Sequence, residues 1–273
     1  LVMPSWRIHT KYAVLMGIDG KIARAVNKAI DFRAGIHDAG LKSPIASLIP
    51  GTSPRDVPRL LTYSPIHGIA LLIKTLGISK FLQNPLYQYA VALHYLLDEI
   101  DGIVKRYGSK TLQNIDYEDK VGIINMALKK IEDKLHKPCE PRVLGGYVIG
   151  SPCNEAVIYV IGVIMNRARE IAQNNLDLLV EAVDEIIQEN SRKGFEVGPV
   201  IIRDLLGCVC ERIKRRGGKC LFTVNERTLP MASAAERIAN AIRRGTVMIS
   251  YPIVLTAGNI HELIEALRKY CNE

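Results

Sequence analysis

Three observations predict a mainly α-helical protein in two parts. Apolar residues recur at three-to-four spacing over long stretches, as in Ile22, Ala25, Val26, Ala29 and Ile30. Proline and glycine gather in a few intervals instead of interrupting those stretches, three of each lying between Lys137 and Pro152. β-Branched runs are confined to the last fifth of the chain, at Cys220–Val224 and Thr246–Leu255. The expected architecture is a helical domain over residues 1–138 and a smaller α/β accessory domain over 139–273.

Taken in order, Ser5 is a candidate N-cap for a helix from Trp6 to Met16, which Gly17 ends. A second helix is expected from Lys21 to Phe32. His37-Asp38 lies between Gly35 and Gly40, near a helix boundary. Four prolines and a Gly-Thr-Ser run make Pro44 to Pro58 an irregular loop. Helices follow over Pro65–Leu76, Leu86–Arg106 and Asp116–Leu135. Beyond the Lys137–Pro152 hinge, Asn154–Asn190 reads as one long helix or two stacked ones. Pro199–Arg216 is helical and stops at Gly217-Gly218. Cys220–Val224 and Thr246–Leu255 read as strands, with helices Ala232–Arg244 and Asn259–Tyr270 between and after them.

Hydrophobic residues make up 48% of the 273 residues and charged residues 23%, the balance of a globular protein with a sizeable core. The net charge is +8, and residues 1–138 carry 19 basic side chains against 12 acidic, so most of the excess lies there. Such an excess suits a phosphorylated small molecule or a nucleic acid as partner. The run Arg212-Ile-Lys214-Arg215-Arg216-Gly-Gly-Lys219 complements a helix C-terminus, and with Arg243-Arg244 it is also a candidate nucleic-acid surface. Ala156–Met165 is the nearest approach to an 18-residue apolar run and is too short to span a bilayer. With no signal peptide legible ahead of six cysteines, the expectation is a cytoplasmic protein with no membrane partner, and a homo-oligomer stays open. Abundant Ile, Lys and Arg with little Gln suggest a thermophile. Cys208, Cys210 and Cys220 are a weak candidate metal set, with buried thiols or a disulfide to Cys220 as the alternatives.

Four of the six histidines, His9, His37, His67 and His94, fall at near-even spacing within the first 94 residues. Asp38 follows His37 directly, and His94 opens His-Tyr-Leu-Leu-Asp98, with Asp101 beyond it. Imidazole with carboxylate is the ligand chemistry of divalent transition metals. On a helix, His94, Asp98 and Asp101 share a face at spacings of four and seven, so Asp98 and Asp101 compete for one role.

This order of residues resembles the HD-domain family of metal-dependent phosphohydrolases over about the first 110 residues. The resemblance implies an HD-like helical domain and a divalent ion (Mn, Mg, Zn, Ni or Fe). It places the core ligands at His9, His37, Asp38 and either Asp98 or Asp101. His67 and His94 are the implied further ligands, Asp38 bridges ions or aligns water, and Lys42 contacts phosphate. Arg55, Arg59 and Lys74 are further phosphate candidates. Trp6 with the later His94-x-x-x-Asp98 is also similar to zinc-dependent phospholipase C and the related single-strand nucleases. Both resemblances imply phosphoester hydrolysis by a metal-activated water, on a nucleotide or nucleic acid. The alternative is a non-enzymatic nucleic-acid-binding or scaffold protein whose histidines are structural.

Overall fold

The computed structural model describes residues 5–30, 78–136, 142–144, 147–149, 155–224, 227–243, 247–251 and 253–272. His37, Asp38, Lys42, Arg55, Arg59, His67 and Lys74 lie outside these residues, as do the expected Pro44–Pro58 loop and Pro65–Leu76 helix. The described chain is mainly helical, as expected. In order it runs α1 (Trp6–Leu15), α2 (Gly20–Lys28), α3 (Ile78–Gln83), α4 (Pro85–Tyr107), α5 (Ser109–Leu112) and α6 (Tyr117–His136). The hairpin strands β1 (Arg142–Leu144) and β2 (Tyr147–Ile149) follow, then α7 (Glu155–Asn174), α8 (Leu176–Arg192) and α9 (Pro199–Arg215). The chain continues through β3 (Phe222–Val224), β4 (Arg227–Leu229), α10 (Met231–Ile242), β5 (Val247–Tyr251) and β6 (Ile253–Ala257) to α11 (Ile260–Asn272). Among the described residues, no helix is long and apolar enough to cross a membrane.

Two compact units result. The first joins Leu1–Asp101 to Asp116–Val183, and the second joins Gly102–Ile115 to Asp184–Glu273. The expected boundary at 138/139 falls inside the first unit; of the three divisions, two run through helices, α4 after Asp101 and α8 after Val183, and the third lies between α5 and α6. This changes where the charge lies. Residues 102–115 bring three cations and no acid to the second unit, giving it 17 basic and 11 acidic side chains, or +6. The first unit has 19 and 17, or +2.

The first unit is built around α4. Val91, Ala92, Leu93, Leu96, Leu97 and Ile100 are all nearly inaccessible, which covers most of the helix circumference. Ile8 and Tyr12 of α1, Val26 of α2, Ile124 and Ala127 of α6, and Ile164 and Ala168 of α7 are likewise buried. Arg167 of α7 donates to Gln88 of α4 at 3.1 Å and pairs with Glu170 at 2.6 Å. At α1, the side chain of Ser5 makes no cap hydrogen bond; its carbonyl serves the first turn instead. Asp19 caps α2 by accepting from the Lys21 amide at 2.6 Å. Asn154–Asn190 resolves as two helices interrupted at Asn175.

The second unit packs α9, α10 and α11 with a four-stranded antiparallel sheet of order β4-β3-β5-β6. Its core joins Ile202, Leu206 and Val209 to Phe222, Val224, Ile238, Leu263 and Leu267. The expected single strand Thr246–Leu255 is a hairpin, because the run contains Pro252, which has no N–H for a ladder. β4 and the β1–β2 hairpin were not expected; each pair is only three residues a side, too short for an alternation signal. Gly217, at φ 80°, ends α9, and the Gly218 amide returns to the Ile213 carbonyl. Asn259 caps α11 by accepting from Glu262, whose carboxylate accepts from the Gly258 amide.

Two disulfides hold this unit, Cys208–Cys271 and Cys210–Cys220. They correct the weak metal reading of Cys208, Cys210 and Cys220. Two residues apart, Cys208 and Cys210 leave nearly opposite faces of α9 for different partners, so they cannot converge on one ion. Replacing Cys208 and Cys271 with Ser is expected to cost about 2–4 kcal/mol in urea unfolding and to leave metal content unchanged. Loss of bound metal from the folded double variant would contradict this.

Two backbones also cross closely here. The Ser109 and Lys110 amides donate to the carbonyls of Phe195 and Glu196, both at 2.9 Å. A Cβ on Gly198 would lie 2.1 Å from the Arg106 carbonyl oxygen, and the obstruction is rigid backbone. Gly198→Ala should therefore lose about 2–3 kcal/mol. Gly122→Ala in α6 meets nothing within 4 Å and should gain about 0.5–1 kcal/mol. Urea midpoints in the opposite order would refute the crossing.

Candidate metal centre

The site is assembled from α1, α2 and α4. His9 lies one turn into α1, on the buried face with Ile8, Tyr12 and Ala13. His94 and Asp98 lie one turn apart on α4. The His9 and His94 rings stack at 4.4 Å between centroids, with 24° between their planes. His9 Nε2 is 3.2 Å from Asp98 Oδ1, and His94 Nε2 is 3.3 Å from Asp98 Oδ2. One ligand atom from each of the three residues lies within 4.8 Å of the others, a group that could hold a metal ion.

The opposite edge of each ring has a defined partner. His9 Nδ1 donates to the Ser5 carbonyl at 3.3 Å, and a carbonyl can only accept. His94 Nδ1 meets Asn27 Oδ1 at 2.9 Å, and the Asn27 amide nitrogen donates to Thr10 Oγ1 at 3.4 Å. Both Nε2 atoms turn toward the same carboxylate.

The 3.2 and 3.3 Å contacts run to the two different carboxylate oxygens of Asp98. His9 Nε2 and Asp98 Oδ1 are buried and make no hydrogen bond among the described residues, an expensive state for polar atoms unless something else satisfies them. The donor set, two imidazoles and a carboxylate, fits a divalent transition ion. Asp98 retains 12% side-chain exposure, so the group is enclosed yet reachable.

Burial by itself would raise the Asp98 carboxyl's pKa. Attraction to His94, with the contacts from His9 and His94, outweighs burial and holds the carboxyl well below the usual carboxylate range. It is therefore ionised at neutral pH, as a cation ligand must be.

Of the expected ligands, the structure brings together His9, His94 and Asp98. Asp101 is buried on α4 and is not in this group, which contains Asp98. His37, Asp38 and His67 lie outside the described residues. Sequence reasoning missed Asn27, Thr10 and the Ser5 carbonyl. Asn27 carried a signal: it occupies the apolar face of α2 with Ala23 and Val26, where a polar side chain needs a partner. No family model matches the chain, and no match is found among curated proteins or solved structures.

The ionised carboxylate sets a pH dependence. A group whose folded pKa is depressed stabilises above its unfolded value, about 3.9 for Asp. That stability is lost as pH falls below this value toward the folded one. In metal-free protein, the urea midpoint should fall more steeply below about pH 4 for wild type than for Asp98→Asn. Parallel curves would show that Asp98 is not held ionised by its neighbours.

Proposed function

We propose that the protein is a metal-dependent phosphoester hydrolase, with His9, His94 and Asp98 holding the divalent ion. One observation carries the reading: two buried imidazoles and a carboxylate each offer a ligand atom within 4.8 Å of the others, a group that could hold a metal ion. When bound, such an ion supplies Lewis acidity, which eases deprotonation of water and offsets charge developing on a phosphoryl oxygen.

The chain's own residues do the rest. Asp98 supplies the negative charge that retains a cation, and the Ser5 carbonyl and the Asn27 amide hold the two rings in place. Three protein ligands leave coordination positions for water and substrate, the usual difference between a catalytic and a structural site. His37, Asp38 and His67 are proposed as further ligands, with Asp38 aligning the attacking water and Lys42 meeting phosphate. The substrate is a nucleotide or nucleic acid, consistent with a net charge of +8.

A second reading is a nucleic-acid-binding protein whose histidines are structural. The +6 charge of the second unit favours it, since polyanion binding requires no chemistry.

Elemental analysis of protein purified without chelator separates the two, paired with hydrolysis assays on phosphodiesters, nucleotides and single-stranded DNA and RNA. The hydrolase reading expects a divalent ion in the wild type and turnover that chelation abolishes. His9→Ala, Asp98→Ala, His37→Ala and Asp38→Ala should each lose ion and turnover while helical circular dichroism persists. Full turnover in folded Asp98→Ala, or oligonucleotide binding without ion or turnover in the wild type, would overturn it.

A further inference from the structure

We propose that the second unit carries a binding surface for single-stranded nucleic acid, centred where residues 105–110 cross residues 195–198 and built without any residue of the metal centre. This rests on the polyanion-binding reading above and names its surface; it needs neither ion nor turnover.

The crossing gathers charge that chain order disperses. Its first stretch holds Lys105, Arg106 and Lys110, and the two stretches together hold one acid, Glu196. The amide bonds from Ser109 and Lys110, with Gly198 set against the Arg106 carbonyl, fix the two backbones to each other. Phe195 collects two cations on its ring: the Arg243 guanidinium carbon is 4.2 Å from the ring centre and Lys105 Nζ is 5.2 Å from it. Lys110 Nζ lies 3.3 Å from Nδ1 of His261, a second basic side chain. Arg192 is exposed and donates to the Gln188 carbonyl, one turn back in α8, at 3.4 Å. Among the described residues, Lys110, Arg192 and Arg243 form no ion pair with a carboxylate. Three such charges around one crossing raise the local positive potential, which a chain of phosphates neutralises.

The basic run that stands out in the sequence, Arg212 to Lys219, is already partly engaged. Arg212 donates to the Tyr270 carbonyl at 2.7 Å and lies over its ring, and Lys214 pairs with Glu211 at 2.9 Å. Lys110, Arg192 and Arg243 come from three distant stretches, and the fold, not a run of sequence, brings them to one crossing.

A pocket of about 290 Å³ opens at the same crossing, lined by Ser109, Gln113, Ile187, Gln188, Ser191 and Arg192. That is the small end of ligand-binding clefts, which run from roughly 300 to 1,000 Å³. The lining offers hydroxyls, amides and one guanidinium, and none of the six residues is acidic. Hydroxyls and amides can hydrogen-bond the edge of a base while Arg192 meets a phosphate. A duplex keeps its bases stacked inside, so the pocket favours a strand whose bases are unpaired.

The test uses the full chain in chelator, so that no outcome depends on ion or turnover. Fluorescence anisotropy of a labelled, mixed-sequence single-stranded oligonucleotide should show binding that weakens with salt. Lys110→Gln, Arg192→Gln and Arg243→Gln together should weaken it roughly 100-fold at about 0.1 M salt and lower the salt slope by about 2, as loss of three phosphate contacts requires. An equal loss of charge through Arg215→Gln, Arg216→Gln and Lys219→Gln should weaken it no more than about threefold, because salt screens charges beyond roughly 10 Å. The matching duplex should bind wild type more weakly. Bound oligonucleotide should also shield Lys110, and not Lys219, from acetylation in wild type, read by mass spectrometry; this decides the matter should the first triple variant fail to fold. Equal weakening by the two triple variants, or a folded first variant that binds like wild type, would overturn the surface and leave the polyanion reading intact. Absence of binding by folded wild type would overturn that reading and the surface with it. Tighter binding of duplex would overturn the choice of single strand. Shielding of Lys110 by phosphatidylserine vesicles or inorganic phosphate, and not by oligonucleotide, would overturn nucleic acid as the occupant.

Discussion

Asp98 places an ionised carboxylate on a helix that is otherwise apolar around most of its circumference. That is costly unless neighbouring groups compensate, and described residues on α1, α2 and α4 do so. α1 supplies His9, and α4 itself supplies His94 one turn earlier. α2 supplies an amide that orients His94 and reaches back to α1. Burial of Ile8, Tyr12 and Val26 is what apolar side chains on α1 and α2 require. That does not account for a histidine, an asparagine and an aspartate buried on three different helices. The proposed ion would.

Much of the helical order was legible because it rests on local signals. α9 begins at Pro199 and stops at Gly217, and both are written in backbone chemistry. The His94–Asp98 pair was legible for the same reason, since a spacing of four fixes a shared helical face. Convergence of His9 on that pair depends on packing between helices 85 residues apart in the sequence, so only its plausibility could be read. The choice of Asp98 over Asp101 was not legible, because both fit the periodicity and only the tertiary approach of His9 separates them. The Asn27 relay was hidden by its ordinary residue type, although its place among apolar neighbours was visible.

The strands were read less well for a related reason. Three-residue ladders such as β3–β4 have almost no period to detect, and β5–β6 reads as one run until Pro252 is weighed. The halves of the sequence also mislead about charge. Counted by halves, the excess accompanies the histidines; counted by compact unit, most of it belongs with the disulfide-bonded second unit. Chain order separates residues 102–115 from 184–273, and the fold reunites them.

The central claim is that His9, His94 and Asp98 form the shell of a divalent ion. X-ray absorption at the zinc edge, on full-length protein reconstituted with one equivalent of Zn²⁺, tests it most directly. The account predicts a shell of nitrogen and oxygen at about 2.0–2.1 Å with multiple scattering from two or more imidazoles, and its loss in Asp98→Ala. A sulfur shell at about 2.3 Å, or a spectrum unchanged by Asp98→Ala, would contradict it.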